Sequence, residues 1–119
     1  MRTFLDCYTC FLRQALDAAR NTGANDATRA DALSAGVDQV AAIFETGTAI
    51  PGASLEKSTP EFRSLFNTAD LIISKGQGNY EMLSEHPQPI FFLLKAKCAI
   101  IASDLEVPLG SFVLKKGNP

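Results

Sequence analysis

The most informative stretch of this 119-residue sequence is ADLIISKGQGNYEML, residues 69–83. Its apolar run leads into Lys75, and Gly76 and Gly78 precede a segment that looks helical from about Asn79. Glycine lets the backbone turn sharply and bring its N–H groups close to a ligand, and the positive end of the following helix points to the same place. Together these groups predict an anion pocket, most naturally for a phosphate. The alternative is a tight strand-to-helix turn with an exposed lysine, because a lone Gly-x-Gly is a weak motif.

Groups that bind a phosphate do not by themselves catalyse its hydrolysis. A charge-assisted hydrogen bond contributes roughly 1.5–3 kcal/mol, whereas hydrolysis of a phosphate monoester can need an acceleration of up to ~10²¹-fold. A divalent metal that activates water could supply much of that difference, and it would use carboxylate and amide oxygens. The candidate is Asn25-Asp26, which precedes a predicted helix. The alternative interpretation of this pair is a simple helix N-cap.

The cysteines and the single histidine offer other chemistry. Cys7 and Cys10 share a helix face and, with Cys98, could supply three thiolate ligands, but a closed zinc site takes four ligands. The sequence therefore favours small buried thiols that pack one element on another. His86 lies among turn formers in SEHPQP, which predicts a loop residue and not a general base.

The first half of the chain reads as helical. Leu5, Tyr8, Leu12, Leu16 and Ala19 recur at helical spacing. A second helix is predicted to begin after Asn25 or Asp26 and to run toward Ala35, with Gly36 as its stop. Residues 42–44 are ambiguous between helix and strand, and residues 46–54 form a loop. The stretch Ser58-Thr59-Pro60-Glu61 predicts a helix start with hydroxyl caps, and that helix should end near Asn67.

The second half alternates between apolar strands and short helices. The predicted strands cover residues 71–73, 90–94 and 111–115, and the predicted helices cover residues 79–84 and 98–105. Continuous apolar strands that alternate with helices indicate a mostly parallel sheet covered on both faces. The fold class is therefore α/β, as a three-layer α/β/α arrangement with a helical N-terminus. Four lysines are predicted to lie at solvated strand ends: Lys95, Lys97, Lys115 and Lys116.

Composition narrows the class of protein. A chain that is 46% hydrophobic and 20% charged is typical of a soluble globular domain, and a net charge of −2 gives no reason to expect nucleic acid or an anionic membrane as partner. No apolar run approaches the ~20 residues needed to span a bilayer. Three cysteines without an export signal predict reduced thiols in a cytoplasm. Open sheet edges would leave room for a homo-oligomer.

Five blocks in order resemble the metal-dependent damage-control phosphatases, a family also described as protein-glutamate-methyltransferase-like. They are CYTCFLRQALDAAR, NDATRADALSAGVDQVA, TGTAIPGASL, ADLIISKGQGNYEML and IFFLLKAKCAIIASDLEVPLGSFVLK. The resemblance covers nearly the whole chain, and its most specific motif is SKGQGNYE with the strand before it. It implies a helical N-terminal segment, residues 1–24, and an α/β core that binds metal and phosphate, residues 25–119.

The same resemblance implies an activity and its residues. The expected reaction is hydrolysis of phosphate esters of small metabolites, such as phosphosugars or damaged phosphometabolites, with Mn²⁺, Co²⁺, Ni²⁺ or Mg²⁺. Asp26 looks like a metal-ligand aspartate and Lys75 like the lysine that holds the phosphate. Gly76 and Gly78 correspond to the glycine turn of the family's phosphate pocket. Asn79 and Glu81, which follow this turn, resemble residues that line the same pocket.

The sequence departs from the family in one respect. Family members carry a long central stretch with an Asp-Asn pair that supplies further metal ligands, and no Asp-Asn dipeptide occurs in this sequence. The chain therefore resembles a shortened member of the family. Two hypotheses stay open: a metal-dependent phosphatase, and a phosphate-binding or assembly module without a full metal site.

Overall fold

The computed structural model describes residues 29–47 and 54–117. In chain order the elements are α1 (Arg29–Ser34), a 3₁₀ turn (Val37–Gln39), α2 (Pro60–Thr68), β1 (Ile72–Lys75), α3 (Gln77–Leu83), β2 (Ile90–Lys95), α4 (Ala99–Asp104) and β3 (Phe112–Lys116). The predicted alternation of strands and helices is confirmed, with bounds that move by one or two residues. No helix of the described ranges is long and apolar enough to cross a membrane. The predicted helix of residues 5–19 lies outside the described residues.

The ends of α1 and α2 follow local signals. Gly36 takes the left-handed conformation, with φ of 72°, and ends α1 as predicted. At α2 the cap is Thr59, whose Oγ1 accepts a hydrogen bond from the N–H of Phe62 at 3.2 Å. Ser58 does not cap this helix, because its buried hydroxyl donates to the carbonyl of Ser54 at 2.7 Å.

The three strands form one sheet in the order β1-β2-β3. β1 and β2 are parallel, with Ile72 opposite Ile90 and Lys75 opposite Leu93. α3 connects them, as the alternation of strand and helix predicts.

The prediction of a mostly parallel sheet is wrong for β3, which runs antiparallel to β2 with Lys95 opposite Phe112. The reason lies in the connection. α4 has six residues and is about 9 Å long, whereas the six residues of β2 span about 20 Å. After this helix the chain does not return to the start of β2: Gly110 donates to the carbonyl of Ala96 and Ala96 donates to that of Ser111, so β3 begins at the edge of the sheet where β2 ends.

One face of the sheet forms the core. Ile72 on β1 and Ile90, Phe92 and Leu94 on β2 are at most 5% exposed. They pack in one cluster with the helical residues Phe62, Phe66, Tyr80, Leu83 and Ile101. Each of α2, α3 and α4 thus contributes buried residues to the cluster on this face, which we call the inner face.

The opposite face, here called the outer face, carries the alternate residues of each strand. Leu93 is 38% exposed, Leu114 68% and Phe112 85%. Within the described ranges the arrangement is therefore a sheet with helices packed on its inner face. The second helical layer of the predicted α/β/α arrangement is not confirmed by these residues.

Candidate functional site

Lys75 is the last residue of β1, as the sequence predicts, and its side chain belongs to the outer face. Gly76 follows with φ of 99° and ψ of 152°, a conformation that is essentially restricted to glycine. Its N–H donates to the carbonyl of Leu93 at 2.8 Å. This amide extends the pairing of β1 with β2, so the expectation that it points at a ligand is wrong.

The other residues of the motif lie in α3. Gly78 belongs to the first turn of the helix, and Gly76 provides no side-chain cap for that turn. Asn79 donates from Nδ2 to the carbonyl of Lys75 at 2.8 Å, and Glu81 accepts a hydrogen bond from Gln77 at 2.9 Å. Asn79 and Glu81 therefore fix the geometry of the turn that carries Lys75, and direct contact between either residue and a ligand stays a prediction.

Gln77 joins this turn to the end of the neighbouring strand. Its Oε1 accepts from the N–H of Lys97 at 2.9 Å, and its Nε2 lies 3.4 Å from the sulfur of Cys98. This contact holds the segment after β2 beside the segment after β1. The sequence contains no indication of this role for Gln77, because Lys97 and Cys98 become its neighbours only when the two strands pair. Cys98 packs against the core, in line with the predicted structural thiol, while Cys7 and Cys10 lie outside the described residues.

A crevice of about 590 Å³ opens at the carboxyl ends of β1 and β2. Its lining is Lys75, Gly76, Gln77, Leu93, Leu94, Lys95, Lys97, Phe112, Val113 and Leu114. Three of these ten residues are lysines, and none is acidic. The crevice is therefore cationic with an apolar floor.

Lys95 and Lys97 are exposed, as predicted for solvated strand ends, and both also line the crevice. Lys95 lines it with its ammonium 5.4 Å from the centre of the Phe112 ring, and Lys97 lines it just beyond the strand. The rule that ligands lie beyond the carboxyl ends of parallel strands could have identified both, since Lys95 ends β2 as Lys75 ends β1, and Lys97 lies two residues further on. Lys116 is exposed and does not line the crevice.

In the part of the chain that the structure describes, two groups have shifted pKa values, and both lie away from the crevice. Burial and the hydrogen bond that Tyr80 donates to Asp104 at 2.6 Å raise the pKa of its hydroxyl, which also accepts from Lys115 at 3.3 Å. Burial lowers the pKa of His86, whose Nδ1 accepts from the N–H of Gln88 and whose ring packs edge-on against Phe66. The histidine is thus a loop residue, as predicted, and neither group lines the crevice.

The described lining fits an anion and not a divalent cation. Three ammonium groups repel a metal ion, and the described residues contain no group of three or more His, Cys, Asp or Glu side chains placed to hold one. Asp26, the predicted metal ligand, lies outside the described residues. The role of Asp26 as a metal ligand therefore stays a prediction.

Comparisons with known proteins agree with the sequence motifs. The model of the damage-control phosphatase ARMT1-like domain matches residues 23–113. A damage-control phosphatase of Pyrococcus horikoshii is 50% identical over 95 residues, which cover 79% of this chain and 33% of the relative. A damage-control phosphatase of Archaeoglobus fulgidus is 41% identical over 93 residues, or 76% of this chain and 32% of the relative.

A solved structure is similar as well. The crystal structure of a DUF89 family protein from Pyrococcus horikoshii superposes with a TM-score of 0.75 at 47% identity, over 79% of this chain and 33% of that one. The chain thus spans about a third of the length of the relatives that it matches.

Proposed function

Because this chain belongs to the family of the damage-control phosphatase ARMT1-like domain, we propose that its crevice holds the phosphoryl group of a small phosphorylated metabolite during hydrolysis of a phosphate monoester. The observation that carries the proposal is the position of Lys75 at the carboxyl end of β1, in a crevice whose described lining contains three lysines and no acidic residue. Phosphosugars and damaged phosphometabolites are the substrate class that the family resemblance favours.

Lys75 has the chemistry that this role needs. Its ammonium is a compact charge on a flexible stem, which suits a phosphate oxygen as a point contact. Asn79 holds the carbonyl of Lys75 and Gly76 pairs with Leu93, so the backbone beneath the lysine is fixed on both sides. A charge placed in this way stabilises negative charge on the phosphoryl oxygens without rearranging during the reaction.

Hydrolysis needs a further group that the described residues do not supply. A divalent metal (Mn²⁺, Co²⁺, Ni²⁺ or Mg²⁺) would polarise the phosphoryl oxygens and provide a hydroxide nucleophile. Its ligands must come from outside the described residues, where Asp26 is the candidate. We propose that this chemistry takes place in the cytoplasm, because the cysteines are predicted to be reduced thiols. Assembly into a homo-oligomer stays a prediction.

The test is turnover of p-nitrophenyl phosphate by the 119-residue chain with Mn²⁺ or Co²⁺ added. Lys75→Ala should lower kcat/KM by about 10–100-fold, the equivalent of one charge-assisted hydrogen bond. Lys116→Ala removes the same charge outside the crevice and should leave turnover within twofold. Asp26→Ala should abolish the stimulation by metal.

A second function is favoured by the absence of carboxylates from the described lining of the crevice: a module that binds phosphate without turnover. It predicts no turnover with any metal, together with phosphate binding that weakens in Lys75→Ala. Measurable turnover that is equal in the wild type, Lys75→Ala and Lys116→Ala would contradict both functions at this site.

A further inference from the structure

The crevice holds more positive charge than a single phosphate contact uses. Lys95 and Lys97 add two ammonium groups to that of Lys75, and no acidic side chain of the lining neutralises them. Excess charge of one sign in a cleft attracts ligands of the opposite sign. The placement of these charges across the sheet therefore indicates where a ligand of the crevice carries further negative charge.

The sheet separates two of the lysines. Lys75, Leu93 and Leu114 form one row across the three strands, because Lys75 is opposite Leu93 and Leu93 is opposite Leu114. Lys95 and Phe112 form the next row on the same face. The ammonium of Lys95 lies over the Phe112 ring, on β3, whereas Lys75 lies on β1. Lys95 is attached to β2, next to β1, but its ammonium lies toward β3, so it is about two strand spacings, or about 10 Å, from the strand that carries Lys75.

The surface between the two charges is apolar. Leu93 and Leu114 lie in the row of Lys75 and are 38% and 68% exposed. A ligand that spans the row would cover these side chains and remove them from water. On this face, apolar side chains thus lie between two cationic groups.

We propose that the crevice selects ligands with two anionic groups about 10 Å apart, with a phosphate at Lys75 and a second phosphate or carboxylate at Lys95, joined by an apolar body over Leu93 and Leu114. The proposal rests on the proposed function for the phosphate at Lys75 and adds Lys95 as a residue that determines specificity. Phe112 acts as a positioning residue, since its ring holds the Lys95 ammonium on the β3 side.

The experiment measures binding by titration calorimetry at low ionic strength, where exposed charges are screened least. The probes are inorganic phosphate, hexyl phosphate, 1,6-hexanediol bisphosphate and 1,3-propanediol bisphosphate. The hexanediol compound should bind about tenfold more tightly than hexyl phosphate. Of this, twofold is statistical, because it has two phosphates, and about fivefold comes from one exposed ion pair at Lys95. The propanediol compound has the same charge but is too short, so it should show only the statistical advantage.

Lys95→Gln should reduce the advantage of the hexanediol compound to about twofold and leave hexyl phosphate and inorganic phosphate unchanged. Lys116→Gln removes the same charge at the other end of the sheet, where Lys116 is opposite Phe91, and should keep the full advantage. The proposal is overturned if the two variants behave alike, or if the long and short bisphosphates bind equally well to the wild type.

The result for Lys75 is separate. Lys75→Gln should weaken the binding of all four probes, and unchanged binding of hexyl phosphate in this variant would contradict the proposed function. That outcome does not depend on whether Lys95→Gln changes the preference for the long bisphosphate.

Discussion

The two faces of the sheet are built from similar apolar residues and differ in what covers them. On the inner face, Phe92 and Leu94 are 1% and 5% exposed beneath the helices. On the outer face, Leu93 of the same strand is 38% exposed and lies on the floor of the crevice. The sequence IFFLLK of β2 is apolar on both sides, so it does not distinguish the two faces. Stability is thus expected to depend on the inner face, and ligand binding on the outer face.

The largest expected effect compares two phenylalanines on opposite faces. Phe92→Ala removes a side chain that is 1% exposed and packs edge-on against Tyr80 with ring centres 5.2 Å apart. It should lower the free energy of unfolding by about 3–5 kcal/mol. Phe112→Ala changes a residue that is 85% exposed and should stay within about 0.5 kcal/mol of the wild type. Urea denaturation measures both.

Equal losses in the two variants would contradict the comparison. They would mean that a part of the chain outside the described residues covers Phe112. The outer face would then be a second core surface, as the predicted α/β/α arrangement requires, and the crevice would be smaller than described.

The second-largest effect on stability is expected at Gly76, which follows β1 at the crevice. Gly76→Ala places a Cβ in open space, so its cost comes from the backbone conformation alone, with φ of 99° and ψ of 152°. The free energy of unfolding should fall by about 1–3 kcal/mol. Gly36→Ala, which also has open space and a φ of 72°, is the matched control and should cost about 1–2 kcal/mol without changing phosphate binding.

Phosphate affinity separates the two glycine variants. If Gly76→Ala folds and binds inorganic phosphate as the wild type does, the turn does not position Lys75. Weaker binding in Gly76→Ala together with unchanged binding in Gly36→Ala is the expected result.

Much of this fold could be predicted from local patterns. Gly36 ends a helix and Lys75 ends a strand because those signals act within a few residues. The direction of β3 could not be predicted in this way, since it depends on how far the short α4 carries the chain. The residues SFVLKK are compatible with a parallel strand and with an antiparallel strand, so they do not indicate the direction of β3.

The candidate site was only partly predictable for a related reason. Lys75 stands beside two glycines that mark it, whereas Lys95 and Lys97 are marked only by their position at a strand end, and the pairing of β1 with β2 brings them to the same crevice. The pairing also takes up the N–H of Gly76, which the sequence suggested as a ligand contact. Register is a property of two strands together, so a motif on one strand does not reveal it.

A smaller effect tests the polar group at the margin of the inner face. Tyr80→Phe removes the hydroxyl that donates to Asp104 at 2.6 Å and should cost about 1 kcal/mol at pH 7. Because the pKa of Tyr80 is raised in the folded state, the unfolded chain releases this proton first as the pH rises. The contribution of Tyr80 to stability is therefore complete below about pH 10 and is lost as the pH rises through the folded pKa. Denaturation between pH 9 and 11 should show a shallower loss for Tyr80→Phe than for the wild type, and parallel curves would contradict this.

The smallest effect concerns the polar side chain buried within the inner face. Ser74 is fully buried beside the strand end, and its hydroxyl has no hydrogen-bond partner among the described residues. A buried hydroxyl without a partner has lost its hydration and gained nothing in exchange, so Ser74→Ala should be neutral or stabilise the protein by up to about 1 kcal/mol. Ser58→Ala is the matched control, because that buried hydroxyl does donate to a carbonyl, and it should cost about 1 kcal/mol. A loss in Ser74→Ala as large as that in Ser58→Ala would mean that a residue outside the described ranges reaches the inner face and bonds to Ser74, so that the helices described here are not its whole cover.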